Sequence, residues 1–132
     1  MTRFLISLEV ATQFVLDSFQ IMQGGELYVP KIPSIRITDL AKAVSFESEL
    51  IEIGIRPGEK LHEIMITEDD SNYTYEFSDH FAILSPSLLA SGAYGDSGKK
   101  VPEGFNFSSD NNQVWHTDES FLKLLKEHGI LK

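Results

Sequence analysis

The pair Pro57-Gly58 restricts the path of this chain more than any other feature of its sequence. Proline fixes its own φ and removes a donor, and glycine opens backbone angles closed to other residues, so the chain must turn sharply here. The apolar run before it, Glu49 to Ile55 with Leu50, Ile51, Ile53 and Ile55, reads as a buried strand. The stretch after it, Lys60 to Ile66, reads as one or two helical turns. The whole segment, Gly54-Ile55-Arg56-Pro57-Gly58-Glu59-Lys60-Leu61-His62-Glu63, therefore presents backbone amides, one arginine and one glutamate at the mouth of an element. That combination suits an anion such as a diphosphate.

Charge narrows where an anion is received. The chain carries a net charge of −9, which disfavours general nucleic-acid or anionic-membrane binding. Residues 1–66 hold six Lys/Arg against nine Asp/Glu, and residues 67–132 hold five against eleven. All three arginines, Arg3, Arg36 and Arg56, lie in the first part, so an anion site is expected there. There is no cysteine, which excludes disulfides and thiolate-bound metal. No apolar run reaches the roughly 18 residues of a membrane span, and Met1 to Ile6 is too short for an export leader before Glu9 and Gln13. The expected compartment is the cytoplasm. With 42% hydrophobic residues in 132, the chain has enough apolar material for a core.

In order, residues 4–22 are expected to form an amphipathic helix, with Leu5, Leu8, Val15 and Phe19 near helical spacing and a stop at Gly24-Gly25. Glu26 to Pro30 reads as a short strand, and Lys31 to Ser34 as a constrained loop. Ile37 to Val44 reads as a helix with Thr38-Asp39 as cap candidates and Ile37, Leu40, Ala41 and Val44 facing inward. The resulting helix–strand alternation is that of an α/β layer. Tyr73 to Leu84 reads as one or two strands broken at Ser78-Asp79-His80, residues 85–104 as a long loop, and Phe105 to Ser109 as an edge strand. Thr117-Asp118-Glu119 caps a last helix from about Glu119 to His128, with Phe121, Leu124 and Leu125 on its apolar side.

Several motifs resolve into ordinary chemistry. Gly95-Asp96-Ser97-Gly98 lacks the context of a serine nucleophile and reads as a flexible turn. His62-Glu63 starts like a zinc-binding helix, but Ile66 stands where the second ligand belongs, and the four histidines show no ligand spacing. Trp115, the only tryptophan, reads as packing for the C-terminal segment. Arg56 and Glu59 carry two readings: a surface ion pair at a turn, or a phosphate-binding arginine beside a carboxylate that accepts from ribose hydroxyls. Arg3 is either a second phosphate contact or a charge before a helix. The chain shows no Gly-x-Gly-x-x-Gly after a strand, no Walker loop and no Tyr-x-x-x-Lys pair.

Met1-Thr2-Arg3-Phe4, Gly24-Gly25-Glu26, Val29-Pro30-Lys31-Ile32-Pro33-Ser34, Ile37-Thr38-Asp39-Leu40-Ala41, the segment Ile53 to Glu63, and Phe105 to Asn112 through Trp115 together form a set of uncommon words in order. In these the chain resembles the C-terminal part of inverting UDP-N-acetylglucosamine 4,6-dehydratases of flagellin and polysaccharide glycan biosynthesis, with epimerases as cousins. These are extended short-chain dehydrogenase/reductases that bind NADP on a Rossmann half and the UDP-sugar mostly on the C-terminal half. Their chemistry is oxidation at C4, loss of water across C5–C6 and return of the hydride to C6. The resemblance implies that Arg56 contacts the diphosphate, Glu59 the uridine ribose, and Arg3 the diphosphate from the other side, with Lys31 a further substrate contact. It implies no catalytic or cofactor-binding residue in this chain. The expected fold is α/β or α+β, a small sheet with packed helices. Residues 1–132 form one substrate-binding-type domain or fragment, with 1–66 as the core bearing the ligand turn and 67–132 supplying strands, loop and final helix. Apolar faces left exposed favour a homo-oligomer, with the helix at 4–22 as the pairing element. A non-catalytic nucleotide-sugar-binding or oligomerisation module, or a UDP-sugar epimerase fragment, is the alternative.

Overall fold

Thr2–Phe4 is a strand, not the start of a helix, in a computed structural model that describes residues 1–92, 94 and 97–129. The described elements are β1 Thr2–Phe4, α1 Leu8–Ile21, β2 Leu27–Pro30, β3 Ser34–Arg36, α2 Ile37–Val44 and β4 Ile64–Ile66. A 3-10 turn at Asp69–Tyr73 precedes β5 Thr74–Glu76, β6 His80–Ile83, α3 Pro86–Ser91, β7 Lys99–Lys100, β8 Phe107–Ser108 and α4 Asp118–Glu127. This is an α+β arrangement of helices and small antiparallel sheets. The helix–strand alternation expected of the first third is replaced by β1, α1, β2, β3, α2.

The chain forms two compact units. The first joins Met1–Leu5, Ile32–Glu63 and the stretch from Ser108 onward. In it β1 pairs antiparallel with β3, matching Thr2 to Arg36 and Phe4 to Ser34. That pairing is why the helix expected from residue 4 starts only at Leu8, where the Ser7 hydroxyl accepts from the Val10 amide. The core of the unit is Ile35, Phe121 and Leu125, with Leu5, Leu40, Ala43 and Leu124 packed against it. So α4 buries the face its sequence predicts, and its reciprocal cap is Thr117 with Ser120. Trp115 ties the segment before α4 to β3. It bridges Ser34 in parallel, its indole N–H donates to the Asn112 carbonyl at 2.7 Å, and Arg36 lies over its ring. The expected cap of α2 is not made: the helix begins at Ile37, before Thr38-Asp39, and Arg36 caps it with no side-chain bond. Val44, expected inside, is 53% exposed.

The strand expected over 49–55 is absent. Leu50, Ile51, Ile53 and Ile55 are 47–77% exposed, and residues 47–63 form neither strand nor helix. A strand is stable only against a neighbour that satisfies its amides and carbonyls, and no ladder reaches this run. The helical turns expected at 60–66 are also replaced, by bends that lead into β4. Here the carbonyls a helix would use are taken by long-range partners: Leu61 accepts from the Thr2 amide at 2.9 Å, and Glu63 from the Ser109 amide at 2.8 Å.

The second unit comprises Ile6–Lys31 and Ile64–Phe107. Its sheet has the order β2-β6-β5-β7, all antiparallel, and its core gathers Ala82, Leu84 and Tyr94 with Tyr28, Tyr75 and Leu88 around them. The long loop expected over 85–104 contains α3, started by Pro86 behind a Ser85 cap and ended by Gly92 at φ 68°, and then β7. Gly95 and Asp96 of the turn read at 95–98 lie outside the described residues.

Candidate functional site

The turn at 56–59 is closed from both sides. The Glu59 amide donates to the Arg56 carbonyl at 3.0 Å, and Gly58 has φ 81°. Proline at the second place and glycine with positive φ at the third are the pattern of a type II turn. The Glu59 carboxylate reaches back, its Oε2 accepting from the Arg56 amide at 3.1 Å. Arg56 and Glu59 are not ion-paired. The Arg56 guanidinium makes no hydrogen bond or ion pair among the described residues, and Glu59 uses one oxygen only. Residues 44–61 are exposed throughout. A turn closed by two hydrogen bonds thus offers solvent a guanidinium fork and one carboxylate oxygen.

Arg3 stands differently. Its Nη1 donates to the Thr2 carbonyl at 2.6 Å and to the Leu61 carbonyl at 3.3 Å, and its Nη2 to the Lys60 carbonyl at 2.9 Å. Its Nε lies 3.6 Å from Glu63, whose other oxygen accepts from the Phe4 amide at 2.8 Å. Arg3 therefore wraps the chain just beyond the turn. The structure brings Arg3, Arg56 and Glu59 into one unit, and Lys31 belongs to the other. The Lys31 ammonium is held by Glu76 at 2.9 Å and by the Phe77 carbonyl at 2.5 Å, and lies 4.9 Å from the centre of the Phe81 ring.

Sequence reasoning missed the polar knot behind the turn. Thr2 Oγ1 lies 2.8 Å from His62 Nδ1 and 2.6 Å from Ser109 Oγ, and the Glu63 amide donates to Ser109 Oγ at 2.9 Å. Ser109 is fully buried and Thr2 nearly so. Asp110 lies 4.0 Å from His62 Nε2, and the Ser108 hydroxyl that donates to it at 2.6 Å holds its carboxyl below the usual carboxylate range. The bonds among Thr2, His62, Glu63 and Ser109 join positions 46 to 107 apart, so no periodicity links them. Their one signal was that Leu61-His62-Glu63 and Ser108-Ser109-Asp110 both lie in the words that carry the resemblance.

A dinucleotide site of the Rossmann kind needs parallel strands feeding a glycine-rich loop and a helix N-terminus. The β1–β3 pair and every pairing in the four-stranded sheet run antiparallel.

The chain is 50% identical over 95% of its length to the UDP-N-acetylglucosamine 4,6-dehydratase (inverting) of Campylobacter jejuni subsp. jejuni serotype O:2, and covers 40% of that enzyme. It is 34% identical over 99% of its length to a protein of Methanocaldococcus jannaschii named only as an uncharacterized membrane protein, again covering 40% of it. Among the described residues, no helix is long and apolar enough to cross a membrane. The X-ray structure of Pen from Bacillus thuringiensis superposes on the whole chain with a TM-score of 0.76 at 31% identity, over 39% of its own length. The chain thus spans about two-fifths of the length of these proteins. The family model described as polysaccharide biosynthesis protein matches residues 1–85, and the chain belongs to that family.

Proposed function

We infer that this chain is the UDP-sugar-binding portion of a UDP-N-acetylglucosamine 4,6-dehydratase of surface polysaccharide or flagellin glycan biosynthesis, and that it is inactive by itself. The observation that carries this reading is the Arg56 guanidinium, which has no hydrogen bond or ion pair among the described residues and stands on a closed Pro-Gly turn. An arginine fork bonds two phosphate oxygens at once, and a turn that is already closed loses little freedom on binding. Glu59 Oε1 stands ready to accept from a ribose hydroxyl. The 50% identity to the Campylobacter dehydratase supports the choice of UDP-N-acetylglucosamine as the nucleotide sugar. Arg3 serves this site less directly, because its guanidinium already holds protein partners, and the Lys31 ammonium is taken by Glu76 within the other unit. The exposed apolar residues of α1 and of 44–55 support self-association as the state in which the chain exists.

Calorimetric titration with UDP tests the reading. The chain is expected to bind, Arg56→Ala to lose most of the affinity, and Glu59→Gln to lose less. Absence of binding heat from the unaltered chain overturns the reading. A second assay, with UDP-N-acetylglucosamine and NADP, is expected to give no turnover, and robust turnover by the pure chain overturns its inactivity.

A further inference from the structure

We propose that Thr2, His62 and Ser109 form a hydroxyl–imidazole pin whose task is to position the ligand turn. This deepens the UDP reading and rests on it for the link to affinity. Ser109 Oγ accepts the Glu63 amide proton and so must place its own proton elsewhere. The acceptor within reach is Thr2 Oγ1, at 2.6 Å. Thr2 then donates to His62 Nδ1 at 2.8 Å. In this order, Glu63 N–H to Ser109 to Thr2 to His62, every hydroxyl proton has an acceptor. The reverse order would leave the proton of the fully buried Ser109 hydroxyl unpaired, which is costly. The pin therefore fixes neutral His62 as the tautomer with its proton on Nε2, the side that faces Asp110.

The consequence is mechanical. The pin joins three stretches of chain: β1, the segment at 60–63 and the turn after β8. Arg3 reinforces the first junction through the Lys60 and Leu61 carbonyls. Residues 60–63 follow Glu59 directly, so the pin sets where the exposed turn leaves the fold and hence where Arg56 and Glu59 point. Thr2, His62 and Ser109 bond to one another and to the Glu63 amide, not to the ligand. They are positioning residues.

The test uses two pairs of variants. Thr2→Val keeps the shape and removes the hydroxyl, and Thr2→Ser restores it. His62→Phe removes the acceptor, and His62→Asn returns an acceptor at the Nδ1 place. His62 is partly exposed, so its pair keeps the test open should Thr2→Val fail to fold. Nitrogen NMR of the unaltered chain, at a pH where His62 is neutral, is expected to show its proton on Nε2. Amide exchange at Glu63 and Ser109 is expected to quicken about tenfold in Thr2→Val and His62→Phe, and UDP affinity to fall by about as much, with Thr2→Ser and His62→Asn near the unaltered chain. The amides of α4 serve as the reference, because general loosening of the unit would move them too. An Nδ1-protonated neutral His62, or unchanged exchange in Thr2→Val and His62→Phe, overturns the pin. If UDP does not bind at all, the UDP reading falls, and tautomer and exchange still decide the pin. If Arg56→Ala abolishes UDP binding while both hydroxyl and acceptor removals leave it intact, the reading stands and the positioning role falls.

Discussion

At the scale of single residues, two positions carry consequences that contacts alone do not show. Gly58 has no atom within 4 Å of where a Cβ would stand, so its requirement is backbone geometry and not space. With φ at 81°, an alanine there pays the left-handed penalty of about 1–2 kcal/mol. Gly58→Ala is expected to destabilise the turn by roughly that amount and to weaken UDP binding, and Gly58→Asn to do so less. Urea unfolding beside UDP titration measures both. An alanine variant with unaltered stability and affinity would show that the positive φ is not required. His116 is the second position. Burial against Phe121 pushes its imidazole below the ordinary value near 6.5, so the folded chain holds it neutral. The unfolded chain then binds more protons between the folded and unfolded values, and stability rises with pH across that window. Stability is expected to start falling as pH drops through 6.5 and to stop losing ground from this source below the depressed folded value. Unfolding in urea at steps from about pH 7.5 to about pH 5.5 should show that slope, and His116→Gln should flatten it.

At the scale of elements, what was legible depended on where the partner lay. The last helix was readable because all its signals are local. Thr117 and Ser120 exchange bonds with each other's amides, and Phe121, Leu124 and Leu125 mark one face. Thr117→Ala is expected to cost about 1 kcal/mol and to fray the first turn of α4, visible as a loss of helical circular dichroism on mild heating. β1 was not readable. Only Phe4 of it falls in the helical pattern expected over 4–22, and the pairing with Ser34 to Arg36 is what makes Thr2–Phe4 a strand. The same holds inversely at 49–55, where isoleucines with strong β preference lie unpaired, because preference does not supply a ladder. The turn at 56–59 was legible from Pro57 and Gly58 themselves. The pin behind it was not, since its hydrogen bonds join residues up to 107 positions apart.

At the scale of the whole molecule, each unit keeps an apolar surface that water covers. In the second unit α1 has no buried residue: only Ala11, Phe14 and Ser18 are half covered, while Leu8, Val15, Leu16 and Phe19 are 51–79% exposed. A helix of 14 residues is marginal alone in water, so this one gains most from a further surface laid on it. In the first unit Phe46 is 89% exposed and Ile51 and Ile53 more than 70%. Two such surfaces on a chain of 132 residues favour association between copies, and the net charge of −9 opposes it, so the balance should depend on salt. The sedimentation coefficient of the pure chain is expected to rise with concentration, and to rise sooner in about 0.5 M salt than at low salt, because added ions screen the repulsion and leave the apolar attraction. Phe19→Glu is expected to raise the concentration at which α1-mediated association begins, and Ile53→Glu to do the same for the other surface. If both variants sediment as the unaltered chain does at every concentration, neither surface joins copies, and α1 must draw its stability from Phe14 and its contact with the His80 ring.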